Sequence, residues 1–165
     1  VRIVVAVGLS AGVIAAGCAS TPRLGDFRSD GCSLFPDGNY YGCCWVHDVA
    51  YWPGGTAAQR ERADEALRTC VQDATGSAPL AQLVFHGVRV GGGPELPTTY
   101  RWGFGWPYPH RKDYAPLTPD EQGQVADKTA RLCAAIRPNP ATGGYAVDAG
   151  KEISAVQARQ VCPGL

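Results

Sequence analysis

The sequence has no net charge. Its 15 lysines and arginines balance 15 aspartates and glutamates, so no basic field draws nucleic acid, and no nucleic-acid partner is expected. It has no internal repeat and no heptad pattern, which excludes solenoids and coiled coils. It also lacks the roughly 20 apolar residues in a row that a membrane-spanning helix needs; its longest apolar run, at the start, has about 15.

Glycine, proline and cysteine are plentiful instead, at 21, 13 and 7. The first two predict long irregular segments. A length of 165 residues argues for one domain with a modest core. The cysteine count is high, and in an exported chain it implies disulfides.

The opening stretch "VRIVVAVGLSAGVIAAGC" has one arginine, an apolar run, then small residues ending in Gly17-Cys18. That is the pattern of an export signal, and "AAGC" resembles a bacterial lipobox. The expectation is a lipoprotein-type signal peptide over 1–17, lipid on Cys18, a tether over 18–29 and a single domain over 30–165. The anchor would place the chain in a bacterial envelope. No Asp follows Cys18, which favours the periplasmic side of the outer membrane. Setting Cys18 aside leaves an even number of cysteines, enough for three bridges.

The pattern reads as mainly α. A helix is expected from near Cys43 to about Trp52, stopped by Pro53-Gly54-Gly55. Thr56 and Gln59 form a capping box for a second helix reaching about Ala74. A third is expected over 80–88. Thr118, Pro119 and Glu121 start a fourth that reaches about Ile136, and a short last helix spans 154–161. Between the third and fourth lies a Gly-, Pro- and aromatic-rich stretch with Tyr100, Trp102, Phe104, Trp106 and Tyr108. It is either a lipid-facing rim or a cover packed over a small core.

The stretch "GCCWVHDVAYW" concentrates the chemistry. If a disulfide joins Cys43 to Cys70 and the two helices run antiparallel, His47 lies about 6 Å along the axis from that bridge, Asp64 about 9 Å and Tyr51 about 12 Å. His47 and Tyr51 share a face, being four apart. One carboxylate could then hold both, leaving the second ring nitrogen of His47 for a proton from water. Asp48 points about 100° away from His47. With Asp30 and the turn residue Gly31 it makes an oxygen-rich set suited to calcium. Zinc on Cys43, Cys44 and His47 is the weaker reading, because cysteines in an exported chain oxidise.

"CCWVHDVAY" resembles the C-C-x-x-H-D-x-x-Y active-site helix of the secreted phospholipase A2 superfamily. "RADEALRTC" resembles its second helix, where an Asp precedes a Cys by six, as Asp64 precedes Cys70. "DGCSLFPDG" resembles the calcium loop of the bacterial and fungal branch. Together these cover about residues 30 to 72. The resemblance implies a disulfide-stapled antiparallel helix hairpin of phospholipase A2 type, with additional C-terminal helices and long Gly/Pro/aromatic loops. It implies the pairs Cys32–Cys44 and Cys43–Cys70, which leaves Cys133–Cys162. It further implies His47 as general base, Asp64 and Tyr51 as its supports, and calcium held by Asp48, Asp30 and the Gly31 carbonyl. A backbone N–H near Cys32 would assist at the oxyanion. The substrate would be a phospholipid in a membrane. The rivals are an inactive relative with a binding or structural role, and an esterase acting on another acyl ester.

Overall fold

A computed structural model describes residues 22–148 and 150–165. The expected signal peptide over 1–17 and the expected lipid site at Cys18 lie outside the described residues. Among the described residues no helix is long and apolar enough to cross a membrane.

The architecture is mainly helical: α1 (Tyr41–Tyr51), α2 (Ala57–Thr75), α3 (Ala78–Gly91), α4 (Pro119–Ala135) and α5 (Ala155–Val161). The Thr56/Gln59 and Thr118/Glu121 capping boxes both form, and a third joins Ser154 to Gln157 at α5. Each satisfies backbone N–H groups that the first helical turn leaves unpaired. α3 starts two residues earlier than the pattern predicts, because the Ser77 side chain accepts from the Leu80 N–H and caps it.

The stretch 137–153, for which no strand is expected from sequence, forms a three-stranded antiparallel sheet, β1 (Arg137–Asn139), β2 (Gly144–Asp148) and β3 (Lys151–Ile153), in the order β1-β2-β3. Strands this short carry too few residues to show a period of two.

α1 is the hub. Eight of its 11 residues are buried and only Ala50 is exposed, so packing surrounds most of the helix. One flank packs Cys43 and Cys44 against Leu67, Val71, Ala81 and Val84 from α2 and α3. The other packs Tyr41 and Trp45 against Ile136, Ile153 and Ala158. Both flanks are stapled. The disulfides are Cys32–Cys44, Cys43–Cys70 and Cys133–Cys162, the pairs expected above. The last closes a separation of 29 residues and ties α5 to α4. Replacing Cys133 and Cys162 by alanine is expected to cost about 2–4 kcal/mol, since the unfolded chain regains loop freedom. Urea unfolding of the double variant against the wild type measures it.

One expectation changes here. Residues 22–29 of the expected tether are packed onto the domain: Leu24 is buried, the Gly25 N–H donates to the Gly105 carbonyl, and Phe27 stands edge-on to Trp45 and Trp52. In the aromatic stretch the two tryptophans form a cover over the helices, while Tyr108 stays 49 % exposed. Trp102 and Trp106 are buried, and their ring N–H groups donate to the carbonyls of Gly55 and Pro53. Arg101, 1 % exposed, fastens this segment by donating to the carbonyls of Trp102, Trp106, His110 and Arg111. Carbonyl dipoles take the place of a counter-ion for this buried charge.

Candidate active site

Direction of the helices follows from their contacts. Cys43, His47 and Tyr51 of α1 meet Cys70, Asp64 and Arg60 of α2 in reverse order, so the pair is antiparallel. Asp64 is fully buried. Its Oδ1 lies 2.9 Å from His47 Nε2 and accepts the Tyr51 hydroxyl at 2.7 Å. The three residues that the sequence placed in register are therefore brought together.

The structure adds two arginines. Arg89, in the last turn of α3, donates to Asp64 Oδ2 at 2.7 Å. Arg60 Nε donates to the Tyr51 hydroxyl at 2.9 Å and lies 3.7 Å from Asp64 Oδ2. Arg60 also donates to the carbonyls of Val88 and Arg89 and to the Tyr114 hydroxyl. Burial alone would raise the Asp64 carboxyl, but bonds from His47, Tyr51 and Arg89 outweigh it and hold the group below the usual carboxylate range. Asp64 is thus an anion in the interior. Arg60 had a sequence signal, since it lies four residues before Asp64 on one helix face. Arg89 had none, because α3 was expected to end at Val88.

With Nε2 engaged by Asp64, Nδ1 is the nitrogen left for the cleft that His47 lines. That cleft holds about 610 Å³, its mouth included, and runs between α1, α3 and the Cys32 loop. Among the described residues His47 and Asp48 are its only acidic or basic ones; Leu34, Phe35, Leu67, Val84 and Val88 make it apolar.

Asp48 shares this cleft with His47 and reaches a second depression, lined by Arg28, Ser29 and Asp30. Asp48 Oδ2 accepts the Ser29 hydroxyl at 2.6 Å; Ser29 lies in the expected tether, so the sequence did not flag it. Asp30 is exposed and accepts from Ser33. Gly31 has φ of +76°, a left-handed turn that glycine adopts without penalty, and a side chain there would collide with Asp37. Asp37 does more than make a turn: it accepts the Cys32 N–H at 3.0 Å and pairs with Lys151. The Cys32 N–H is therefore already engaged and is not a free oxyanion donor.

Asp48 is only 8 % exposed. Burial pushes its carboxyl well above the usual range; the Ser29 bond works the other way, and Asp30, Asp148 and Asp37 push it further up. Such a group favours a proton or another cation. Among the described residues no three His, Cys, Asp or Glu side chains converge as a ready-made metal cluster, so a cation here would need main-chain oxygens as well. Carboxylate and carbonyl oxygens are the donor type that a hard ion such as calcium takes. The zinc set of Cys43, Cys44 and His47 does not form, since Cys43 and Cys44 are both in disulfides.

Asp48 yields a prediction with a definite sign. Below pH 3.8, the ordinary Asp value, the carboxyl is neutral in folded and unfolded chains alike. Above it the unfolded chain ionises while the folded one keeps its proton, so stability falls as pH rises. Asp48→Asn is therefore expected to stabilise the calcium-free protein at neutral pH, with the gain vanishing in acid. Calcium should raise the melting temperature of the wild type and not of the variant. Thermal melts at about pH 4 and about pH 8, with and without calcium, decide it.

Searches of family models, curated proteins and solved structures give no match to this chain. The sequence also contains one G-x-S-x-G pattern, the serine-nucleophile signature, at Gly8–Gly12. It lies in the apolar run outside the described residues. Among the described residues no such pattern competes with His47.

Proposed function

We propose that this chain is a calcium-dependent, phospholipase A2-like ester hydrolase that releases a fatty acid from a glycerophospholipid by means of a water activated by His47. The observation that carries the reading is the buried His47–Asp64–Tyr51 cluster, opening onto an apolar cleft that Asp48 also borders.

Asp64 accepts from Nε2–H, which leaves the lone pair on Nδ1. A water at Nδ1 gives His47 its proton as its oxygen attacks the ester carbonyl. The ionised Asp64 stabilises the imidazolium that results. Tyr51 and Arg89 hold that carboxylate still. His47 then returns the proton to the departing alkoxide, so water and ester become acid and alcohol. Asp48, Asp30 and the Gly31 carbonyl would hold calcium, which when bound polarises the ester carbonyl and stabilises the oxyanion. Three disulfides are compatible with an exported protein, and a lipid at Cys18 would keep the cleft beside its phospholipid membrane.

One observation favours a non-catalytic, lipid-binding envelope protein: Ser29 occupies Asp48 Oδ2. Hydrolysis of mixed phospholipid vesicles, with calcium and then with chelator, separates the readings. Fatty-acid release that stops on chelation is the expected result. Calcium binding without any release would leave the non-catalytic reading.

A further inference from the structure

Arg60 is 3 % exposed, and its guanidinium joins α1, α2, α3 and the loop before α4. Nε donates to the Tyr51 hydroxyl of α1 at 2.9 Å and lies 3.7 Å from Asp64 Oδ2 on its own helix. Nη2 donates to the Val88 and Arg89 carbonyls, both at 2.8 Å, and so caps the carboxyl end of α3. Among the described residues Nη1 has one acceptor, the Tyr114 hydroxyl.

Tyr114 comes from the stretch between α3 and α4, far in sequence from the helix pair that carries His47 and Asp64. It is 41 % exposed, yet it turns its hydroxyl inward onto a buried cation. The backbone beside it is firmly held. Arg111 donates to the carbonyls of Ala115 and Pro116 and pairs with the buried Glu121 in the first turn of α4. Arg111 itself has φ of +58°, which is uncommon for a residue with a side chain. Such a conformation persists only where its surroundings impose it, and it recurs at functional segments.

We infer that Tyr114 is a positioning residue for His47, acting through Arg60. The bonds run in series from Arg60 to Tyr51, to Asp64 and to His47. Donation from a cation onto the Tyr51 oxygen makes its O–H a stronger donor to Asp64 Oδ1, the oxygen that His47 Nε2 also meets. A guanidinium is planar and rigid. Tyr114 engages Nη1 and so keeps that plane where Nε serves Tyr51 and Nη2 serves α3. Without the Tyr114 hydroxyl, Nη1 turns toward water and carries Nε with it. Asp64 then holds the imidazole less firmly, and Nδ1 loses its aim. The effect on a reaction rests on the hydrolase reading; the coupling of Tyr114 to the His47–Asp64 bond does not.

The test uses the full chain with Tyr114→Phe, which keeps the ring and removes only the hydroxyl, with Arg60→Met, and with both changes. Two things are measured at one fixed pH. One is the proton resonance of the His47 Nε2–H in histidine-labelled protein. The other is kcat and KM on phospholipid vesicles. Tyr114→Phe is expected to move the resonance and to lower kcat by about three- to tenfold, less than the roughly 100-fold that a misplacement of about 1 Å can cost. KM should stay, because Tyr114 does not line the cleft. In the Arg60→Met background, Tyr114→Phe should change neither quantity further, since residues on one path are not additive. Should Arg60→Met fail to fold, Tyr114→Phe decides by itself. An unmoved resonance, a wild-type kcat, or a full Tyr114→Phe effect in the Arg60→Met background overturns the inference. A wild type that hydrolyses nothing, but whose His47 resonance responds to Tyr114→Phe, overturns the hydrolase reading and keeps the coupling.

Discussion

Replacing His47 with glutamine is expected to lower calcium-dependent fatty-acid release by about 10²–10⁴-fold, the usual cost of losing a general base. The fold should survive. His47 sits on α1, which is held by disulfides at Cys43 and Cys44, and a glutamine amide can still donate to Asp64. What the amide lacks is a basic lone pair at the cleft. The change should appear in kcat rather than in KM, because the apolar lining of the cleft is untouched. Fatty-acid titration on vesicles gives the rate, and a thermal melt shows that the variant is folded. Activity within about tenfold of the wild type would mean that some other group takes the proton from water.

Asp64→Ala should affect both activity and stability. The carboxylate is fully buried and serves His47, Tyr51 and Arg89, with Arg60 close by. Without it the almost fully buried Arg60 has no anion, and the Tyr51 hydroxyl loses its acceptor. Breaking a buried charged cluster from one side costs about 3–5 kcal/mol. The pH dependence identifies the cause. Because the folded carboxyl titrates below the ordinary 3.8, its contribution is complete above that value and is lost as pH falls through the folded pKa. The stability gap between wild type and Asp64→Ala should therefore be widest near neutrality and narrow in strong acid. Urea unfolding across that range measures it. A gap independent of pH would show that packing, not charge, is what Asp64 supplies.

Arg89→Met offers a milder view of the same cluster. It removes the donor to Asp64 Oδ2 while leaving His47 and Tyr51 on Oδ1. A fall in kcat with KM preserved, partly restored by Arg89→Lys, would mark Arg89 as a positioning residue.

Much of this arrangement was legible in the sequence where local rules act alone. The Thr56/Gln59 and Thr118/Glu121 boxes set two helix starts because a side chain four atoms long can reach only its own first turn. His47 and Tyr51 share a face by helical period, and the Cys43–Cys70 register carries Asp64 to their level, because a helix rises a constant distance per residue. Tertiary structure alone decided the rest. Three-residue strands have no readable period, so β1 and β3 exist only through pairing with β2. Leu24 and Phe27 looked like tether until Trp52 and Trp45 gave them something to cover. Arg89 and Ser29 reach Asp64 and Asp48 from segments distant in sequence, and no local rule forecasts which charge a fold carries inward. The apolar cleft beside α3 likewise takes Phe35 and Tyr100 from two loops far apart in the sequence, a meeting that no local pattern encodes.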